Sequence, residues 1–235
     1  DTSKNSYNTR HWIIEFMFKT PHIDRLRKMN STTNGSAQLG RKRLLPGIAS
    51  SEHKKRNHIC NIVSESNLFQ GSDDKMSHPF YILRSMLDKK NVSYEIRNSL
   101  LSPDFFIENT NEHIASYKYD IINAIRSRDI QTLREMVKNG RSMHACNQFG
   151  ESIIHMACRR GFTDVVKFLL VEAGVSLRVI DDFGRTPLHD ACWVPRPSFD
   201  LVDMLLNHEP ELLLMSDKRG HTPLDYVRKE HWKDW

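Results

Sequence analysis

One sequence motif, typical of a turn followed by a helix, recurs along the second half of this sequence and limits the folds that the chain can adopt. It is most complete at residues 181–192, where an acidic residue, a glycine and then Thr-Pro-Leu-His follow one another. Gly184 supplies the backbone freedom that a tight turn requires. Thr186 can cap a helix N-terminus, and Pro187 then occupies the first helical position, where a missing N–H has no cost. The phrase therefore predicts a tight turn that leads directly into a helix.

The phrase returns at residues 147–158 and 217–227, so it is a repeat. The turn glycines Gly150, Gly184 and Gly220 are separated by 34 and then 36 residues. A period near 33 residues, with one turn and two helices per unit, resembles that of the ankyrin-repeat family. The specific residues at 149–152, 155–161 and 189–193 resemble those of an uncharacterised subfamily of algal ankyrin proteins.

The second half of each unit agrees with that period. Apolar residues at helical spacing in 165–170 and 201–206 predict second helices that pack on neighbouring units. The prolines Pro195 and Pro197 would break a helix, so we expect them in the turn between the two helices of their unit. The resemblance thus implies an all-α ankyrin-repeat solenoid with projecting β-turns, which a helical N-terminal cap and a disordered basic N-terminal tail are expected to precede.

Composition divides the chain into three parts. Residues 1–75 carry 13 Lys and Arg against 7 Asp and Glu, a net charge of +6, whereas residues 76–235 carry 21 against 22. We expect 1–75 to be a disordered basic Ser/Asn-rich tail, 76–110 a short helical extension or cap, and 111–235 the repeat domain. The expected repeats are about 117–149, 150–183, 184–219 and a partial 220–235.

Within the first two parts, the patterns predict individual elements. Residues 79–87 and 94–101 have the spacing of two short helices, and residues 105–107 are expected to pack against the first repeat. A helix is predicted to begin at Thr110 and to run on through Ile125, followed by a second that ends at Gly140. Trp232 and Trp235 are expected to cover the open last interface, because terminal repeats need capping.

The basic tail leaves two interpretations open. Residues 41–43 and 54–56 resemble the halves of a bipartite nuclear import signal, but we favour a solvated basic linker. The tail also supports an alternative function, a nuclear nucleic-acid or chromatin-associated adaptor. Binding of nucleic acid is otherwise not expected, because the remainder of the chain has no positive excess.

Two His–Cys pairs could suggest chemistry. His155 and Cys158, and likewise His189 and Cys192, are three residues apart on equivalent helices, so a zinc site can be drawn. The family resemblance implies instead that each histidine bonds backbone of the adjacent turn, and a buried cysteine behaves as a small apolar residue. We favour this structural role and expect no metal, no cofactor and no enzymatic activity, since no phosphate loop or nucleophile motif occurs.

A binding surface is the remaining candidate site. The resemblance implies that turn tips and the exposed side of the first helices contact protein partners. The residues so placed at the tips are Gln148, Phe149, Asp182, Phe183, Lys218 and Arg219; those on the helices are Met156, Arg159, Arg160, Asp190, Trp193 and Tyr226. We therefore predict a monomeric, intracellular protein-interaction scaffold, cytoplasmic or nuclear, with no membrane association.

Overall fold

The computed structural model describes residues 77–235, so the predicted disordered tail and its import-signal-like clusters lie outside the described residues. The helices are α1 (Pro79–Lys89), α2 (Asn111–Ser116), α3 (Tyr119–Ser127), α4 (Ile130–Lys138), α5 (Ile153–Arg159), α6 (Thr163–Lys167), α7 (Pro187–Cys192) and α8 (Phe199–His208). Two short strands, β1 (Arg97–Asn98) and β2 (Met215–Ser216), pair in parallel. Short 3₁₀ turns occupy Ser99–Leu101, Pro210–Leu214, Pro223–Tyr226 and Lys229–His231.

Consecutive helix pairs stack into the predicted ankyrin solenoid. The pairs are α3–α4, α5–α6 and α7–α8, and α6 continues into a wider π turn at Phe168–Glu172. Helix α7 packs between α5 and the turn Pro223–Tyr226, which is the shortened first helix of the last repeat. Fully buried leucines such as Leu188, Leu201 and Leu205 fill the space between neighbouring repeats. The core therefore runs along the stack, as expected where each repeat contacts only its neighbours.

Helix boundaries follow the capping residues found in the sequence. Thr186 caps α7 with Pro187 at the start of the helix, as predicted. Helix α4 gives way at Gly140, whose φ of +78° lies in the left-handed region. The segment with Pro195 and Pro197 separates α7 from α8, also as predicted.

The predicted continuous helix from Thr110 to Ile125 is wrong in one respect. Thr110 does begin a helix, because its hydroxyl accepts the backbone N–H of His113. That helix, α2, ends at Ser116, and α3 begins at Tyr119 after an extended Lys118. The chain thus turns between α2 and α3, and only α3 belongs to the first repeat pair.

The second short helix predicted at residues 94–101 is also wrong. Residues 97 and 98 instead form β1, which pairs with β2 118 residues later in the chain. The side chain of Asn98 accepts the N–H of Leu100 and donates to the carbonyl of Asp217. These contacts are tertiary, so the local apolar spacing could not reveal them.

Residues 97–109, here called the strap, run back across the repeats in reverse order. Ser99 donates its hydroxyl to the carbonyl of Gly184 at 2.6 Å, and Ile107 donates its N–H to the carbonyl of Arg178 at 2.7 Å. The Arg178 guanidinium lies 4.7 Å from the ring centre of Phe105. The prediction that residues 105–107 pack on the first repeat is therefore corrected: these contacts are made with the second.

Helix α1 packs against the last of the described repeats. Phe80, Leu83 and Leu87 are buried in the common core, and α1 contacts the turn Pro223–Tyr226. The ring of Trp232 meets that of His78 at 4.7 Å. The ring of Trp235 lies 5.3 Å from that of Phe199, so both tryptophans pack at this end as predicted.

Candidate functional site

Three projecting turns, here called the fingers (residues 147–151, 181–185 and 217–221), form one edge of the candidate surface. Each begins with Asn or Asp, whose side-chain oxygen accepts backbone N–H groups within the turn. Asp181 Oδ1 accepts the N–H of Phe183 at 3.0 Å and that of Arg185 at 2.9 Å. The recurring Asn/Asp and Gly therefore shape the fingers.

Backbone hydrogen bonds join the fingers to each other. The N–H of Asp182 donates to the carbonyl of Phe149 at 3.0 Å, and that of Lys218 donates to the carbonyl of Phe183 at 2.8 Å. The side chains of Phe149 and Phe183 remain 56% and 59% exposed. Because the backbone is fixed while the rings face outward, the fingers present aromatic groups at set positions.

A pocket of about 440 Å³ lies between the fingers and the first helices. Its lining residues are Arg159, Arg185, Asp190, Trp193, Arg219, His221, Asp225 and Tyr226. Here it is called the groove pocket. The structure thus brings together five of the residues singled out from the sequence, and the other three lining residues, Arg185, His221 and Asp225, were missed.

The remaining predicted residues lie elsewhere. Gln148, Asp182, Lys218 and Arg160 are exposed at the fingers or at the end of α5. Met156 is only 8% exposed and packs in the core, so its assignment to the contact surface is wrong. Helical spacing in one sequence does not distinguish a residue at the edge of the buried helix face from one that is exposed to solvent.

Arg159 links α5 to α7 across the floor of the groove pocket. Its Nη2 donates to Glu151 Oε1 at 2.6 Å, and its Nε donates to Asp190 Oδ1 at 3.1 Å. Asp190 is only 4% exposed, so it acts mainly by holding this guanidinium. The position of the guanidinium is therefore fixed before any partner arrives.

The outer wall of the pocket is formed by Arg219 and Tyr226. Arg219 Nη2 donates to the Tyr226 hydroxyl at 2.9 Å, and that hydroxyl donates to Asp217 Oδ2 at 2.8 Å. Burial, together with the hydrogen bond to Asp217, raises the pKa of Tyr226 to about 12. The hydroxyl is thus kept protonated as a donor to the carboxylate.

The predicted structural role of the two histidines is confirmed. His189 Nδ1 lies 2.9 Å from the Thr186 hydroxyl and Nε2 lies 3.1 Å from the His221 carbonyl of the next repeat. His155 repeats this geometry, with Nε2 at 3.0 Å from the Arg185 carbonyl. Burial lowers the pKa of His189 to about 4, so the ring is neutral at pH 7.

The zinc alternative fits these contacts poorly. Both ring nitrogens of each histidine already have hydrogen-bonding partners, and burial raises the pKa of the Cys158 and Cys192 thiols. A zinc-bound cysteine is a thiolate, which this environment disfavours. Within residues 77–235, no group of three or more His, Cys, Asp or Glu side chains is arranged to hold a metal ion. In the same part of the chain, none of the helices combines the length and apolar character required to cross a bilayer.

Comparison with known proteins identifies ankyrin repeats in this chain. The model for ankyrin repeats in three copies matches residues 121–213. SMC5-SMC6 complex localization factor protein 1 of Bos taurus is 35% identical over 83 residues, 35% of this chain and 8% of that protein. A putative ankyrin repeat protein of Rickettsia bellii is 23% identical over 185 residues, 77% of this chain and 64% of that protein.

A third relative, the probable 26S proteasome regulatory subunit p28 of Saccharomyces cerevisiae, is 33% identical over 81 residues, 34% of each protein. The match to the localization factor spans 8% of that protein, so what these whole proteins do does not carry over to this chain. The family model matches the residues that form the helix pairs described above. Residues 121–213 of this chain therefore form ankyrin repeats.

Proposed function

We propose that this chain is a non-enzymatic protein-interaction module that binds a protein partner through its fingers and groove pocket. Ankyrin repeats are protein-interaction repeats, which supports the class of function. The observation that carries the specific surface is the exposure of Phe149, Phe183 and Trp193, the last at 49%, on backbone that is held rigidly. Aromatic and arginine side chains on a fixed scaffold are typical anchors of protein interfaces.

The surface needs little rearrangement before binding. The fingers are joined through their backbones, and Arg159, Arg185 and Arg219 are each held by a carboxylate. Ordering such groups beforehand reduces the entropy lost on association. We propose that the protein works as a monomer inside the cell, in the cytoplasm or the nucleus, and needs no cofactor.

Replacing Phe183, Trp193 and Arg160 together by alanine is expected to weaken partner binding about a hundredfold, since two aromatic anchors and one charge are removed. All three side chains are exposed, so the midpoint of thermal unfolding should barely change. The measurement is affinity capture from cell lysate with the tagged full chain, compared with this variant.

A matched control replaces Lys138, Lys167 and Val171, which are exposed on the second helices, by alanine. Proteins kept by the wild type and the control but lost with the Phe183/Trp193/Arg160 variant would support the proposal. If all three baits recover the same proteins, the proposed surface is wrong. Recovery that disappears on deletion of residues 1–75 and falls steeply with salt would instead support the nucleic-acid adaptor.

A further inference from the structure

The groove pocket contains a carboxylate that departs from the repeat pattern. The second and third repeats have histidine at the third position of the first helix, and the last repeat has Asp225. His155 and His189 each reach the backbone carbonyl of the following repeat. Asp225 instead faces His78, the residue that precedes α1.

Asp225 keeps one function of that position and adds a charge. Its Oδ2 accepts the N–H of Thr222 at 2.6 Å and the Thr222 hydroxyl at 2.8 Å, as the histidine Nδ1 does in the other repeats. Its Oδ1 lies 3.7 Å from His78 Nε2. Burial lowers the pKa of His78, so this neighbour is largely neutral at pH 7.

The cationic side chains of the groove pocket are already matched. Arg159 pairs with Glu151 and Asp190. Arg185 pairs with Asp181, and Arg219 pairs with Asp217. Within residues 77–235, Asp225 forms an ion pair with neither arginine nor lysine. The lining and its paired carboxylates thus carry five acidic groups against three guanidiniums, and Asp225 is the charge left without a cation.

Aromatic rings border the same space. The ring centres of Trp193 and Tyr226 lie 6.3 Å apart, and the two ring planes meet at 77°. About half of the Trp193 side chain is exposed. The Arg228 guanidinium already lies 5.1 Å from the centre of the Trp193 ring, and that of Arg219 lies 5.9 Å from the centre of the Tyr226 ring. Both rings therefore accept a guanidinium in the way that cation–π contacts require.

We infer that the groove pocket takes an arginine or lysine side chain of the protein partner, with Asp225 as its counter-ion and Trp193 as its stacking surface. This inference rests on the proposed function and specifies the chemistry of the partner at one point. An acidic side chain fits less well, because the three arginines are already engaged and Asp225 would repel it. The volume of the pocket is sufficient for one long side chain.

The test follows the Trp193 indole N–H resonance of the ¹⁵N-labelled full chain during titration. The resonance is assigned by its loss in Trp193→Phe, because the chain contains four tryptophans. The probe is N-acetyl-arginine methylamide, and the matched probes are the citrulline analogue, which is nearly isosteric but neutral, and the glutamate analogue. We expect the arginine probe to shift the resonance and the other two to bind at least about tenfold more weakly, since citrulline carries no charge to pair with Asp225 and the glutamate carboxylate is repelled by it.

Two variants separate the pocket from general charge. Asp225→Asn can still cap Thr222 and should weaken binding of the arginine probe about tenfold. Asp200→Asn makes the same change in net charge at an exposed position on α8, outside the proposed binding surface, and should leave binding unchanged. Equal binding of arginine and citrulline, preference for glutamate, or an equal effect of the two variants would overturn the inference.

This outcome can be told apart from failure of the proposed function. Groove-dependent protein capture without binding of the arginine probe would remove the inference and leave the function intact. If the arginine probe binds through Asp225 but the Phe183/Trp193/Arg160 variant captures the same proteins as the wild type, the inference about the pocket stands and the proposed function is overturned.

Discussion

Replacing Gly184 by alanine is expected to lower the free energy of unfolding by about 3 kcal/mol. Gly184 has a φ of +74°, a conformation that costs an alanine about 1–2 kcal/mol. An added Cβ would also overlap Ser99 Oγ and lie 3.2 Å from Leu100 Cγ, so the strap would have to shift. Overpacking of this kind costs about a further 1–3 kcal/mol. Urea unfolding followed by circular dichroism measures the change.

Gly220→Ala is the matched control for that experiment. Gly220 is the equivalent finger glycine with a φ of +86°, but a Cβ there would meet nothing within 4 Å. We expect it to cost only the backbone part, about 1 kcal/mol. Adding Ser99→Ala should recover part of the loss in Gly184→Ala, because the closest contact disappears. Equal losses for the two glycine variants would contradict the placement of the strap against the second finger.

Replacing His189 by alanine is expected to cost about 3 kcal/mol. The ring is fully buried, and its removal leaves a cavity and unpaired polar groups at Thr186 and at the His221 carbonyl. His208→Ala is the control, because His208 is exposed on α8 and bonds the carbonyl four residues before it within the same helix. A loss for His189→Ala no larger than that for His208→Ala would contradict the bridging role.

The same histidine should make stability depend on pH. The pKa of His189 is about 4 in the folded chain against about 6.5 for an unperturbed histidine, so the unfolded chain binds more protons between these values. The contribution of neutral His189 to the free energy of unfolding is therefore fully present above pH 6.5. It falls by up to about 3 kcal/mol as the pH decreases toward 4. The wild type should lose stability over this window more steeply than His189→Ala. Parallel pH profiles of the two proteins would contradict the lowered pKa.

Local patterns predicted much of the solenoid. Some residues act through their own backbone conformation, so their effect could be predicted from the residue type alone. These are the finger glycines, the Thr186 cap and the prolines between α7 and α8. The strap was missed because Arg97 and Asn98 gain their strand from residues 215–216, a contact that no local period records. The helix predicted there followed an apolar spacing whose members Ile96 and Leu100 remain 41% exposed.

The candidate site was predicted in outline but not in its charges. Trp193 and Tyr226 could be placed by the repeat register, and they do line the pocket. The role of Arg185 could have been inferred from its spacing of four residues from Asp181 across the turn. Asp225 was recognised as a departure from the repeat, but its surroundings depend on His78, which the start of α1 places beside it.

The most direct test of the account is hydrogen–deuterium exchange of the full chain with and without the captured partner. We predict slower exchange at the fingers 147–151, 181–185 and 217–221 and in the first helices α5 and α7. Exchange in the second helices α4, α6 and α8 should be unchanged. Slower exchange confined to the second helices, or to residues 1–75, would contradict the central claim that the fingers and groove pocket bind the partner.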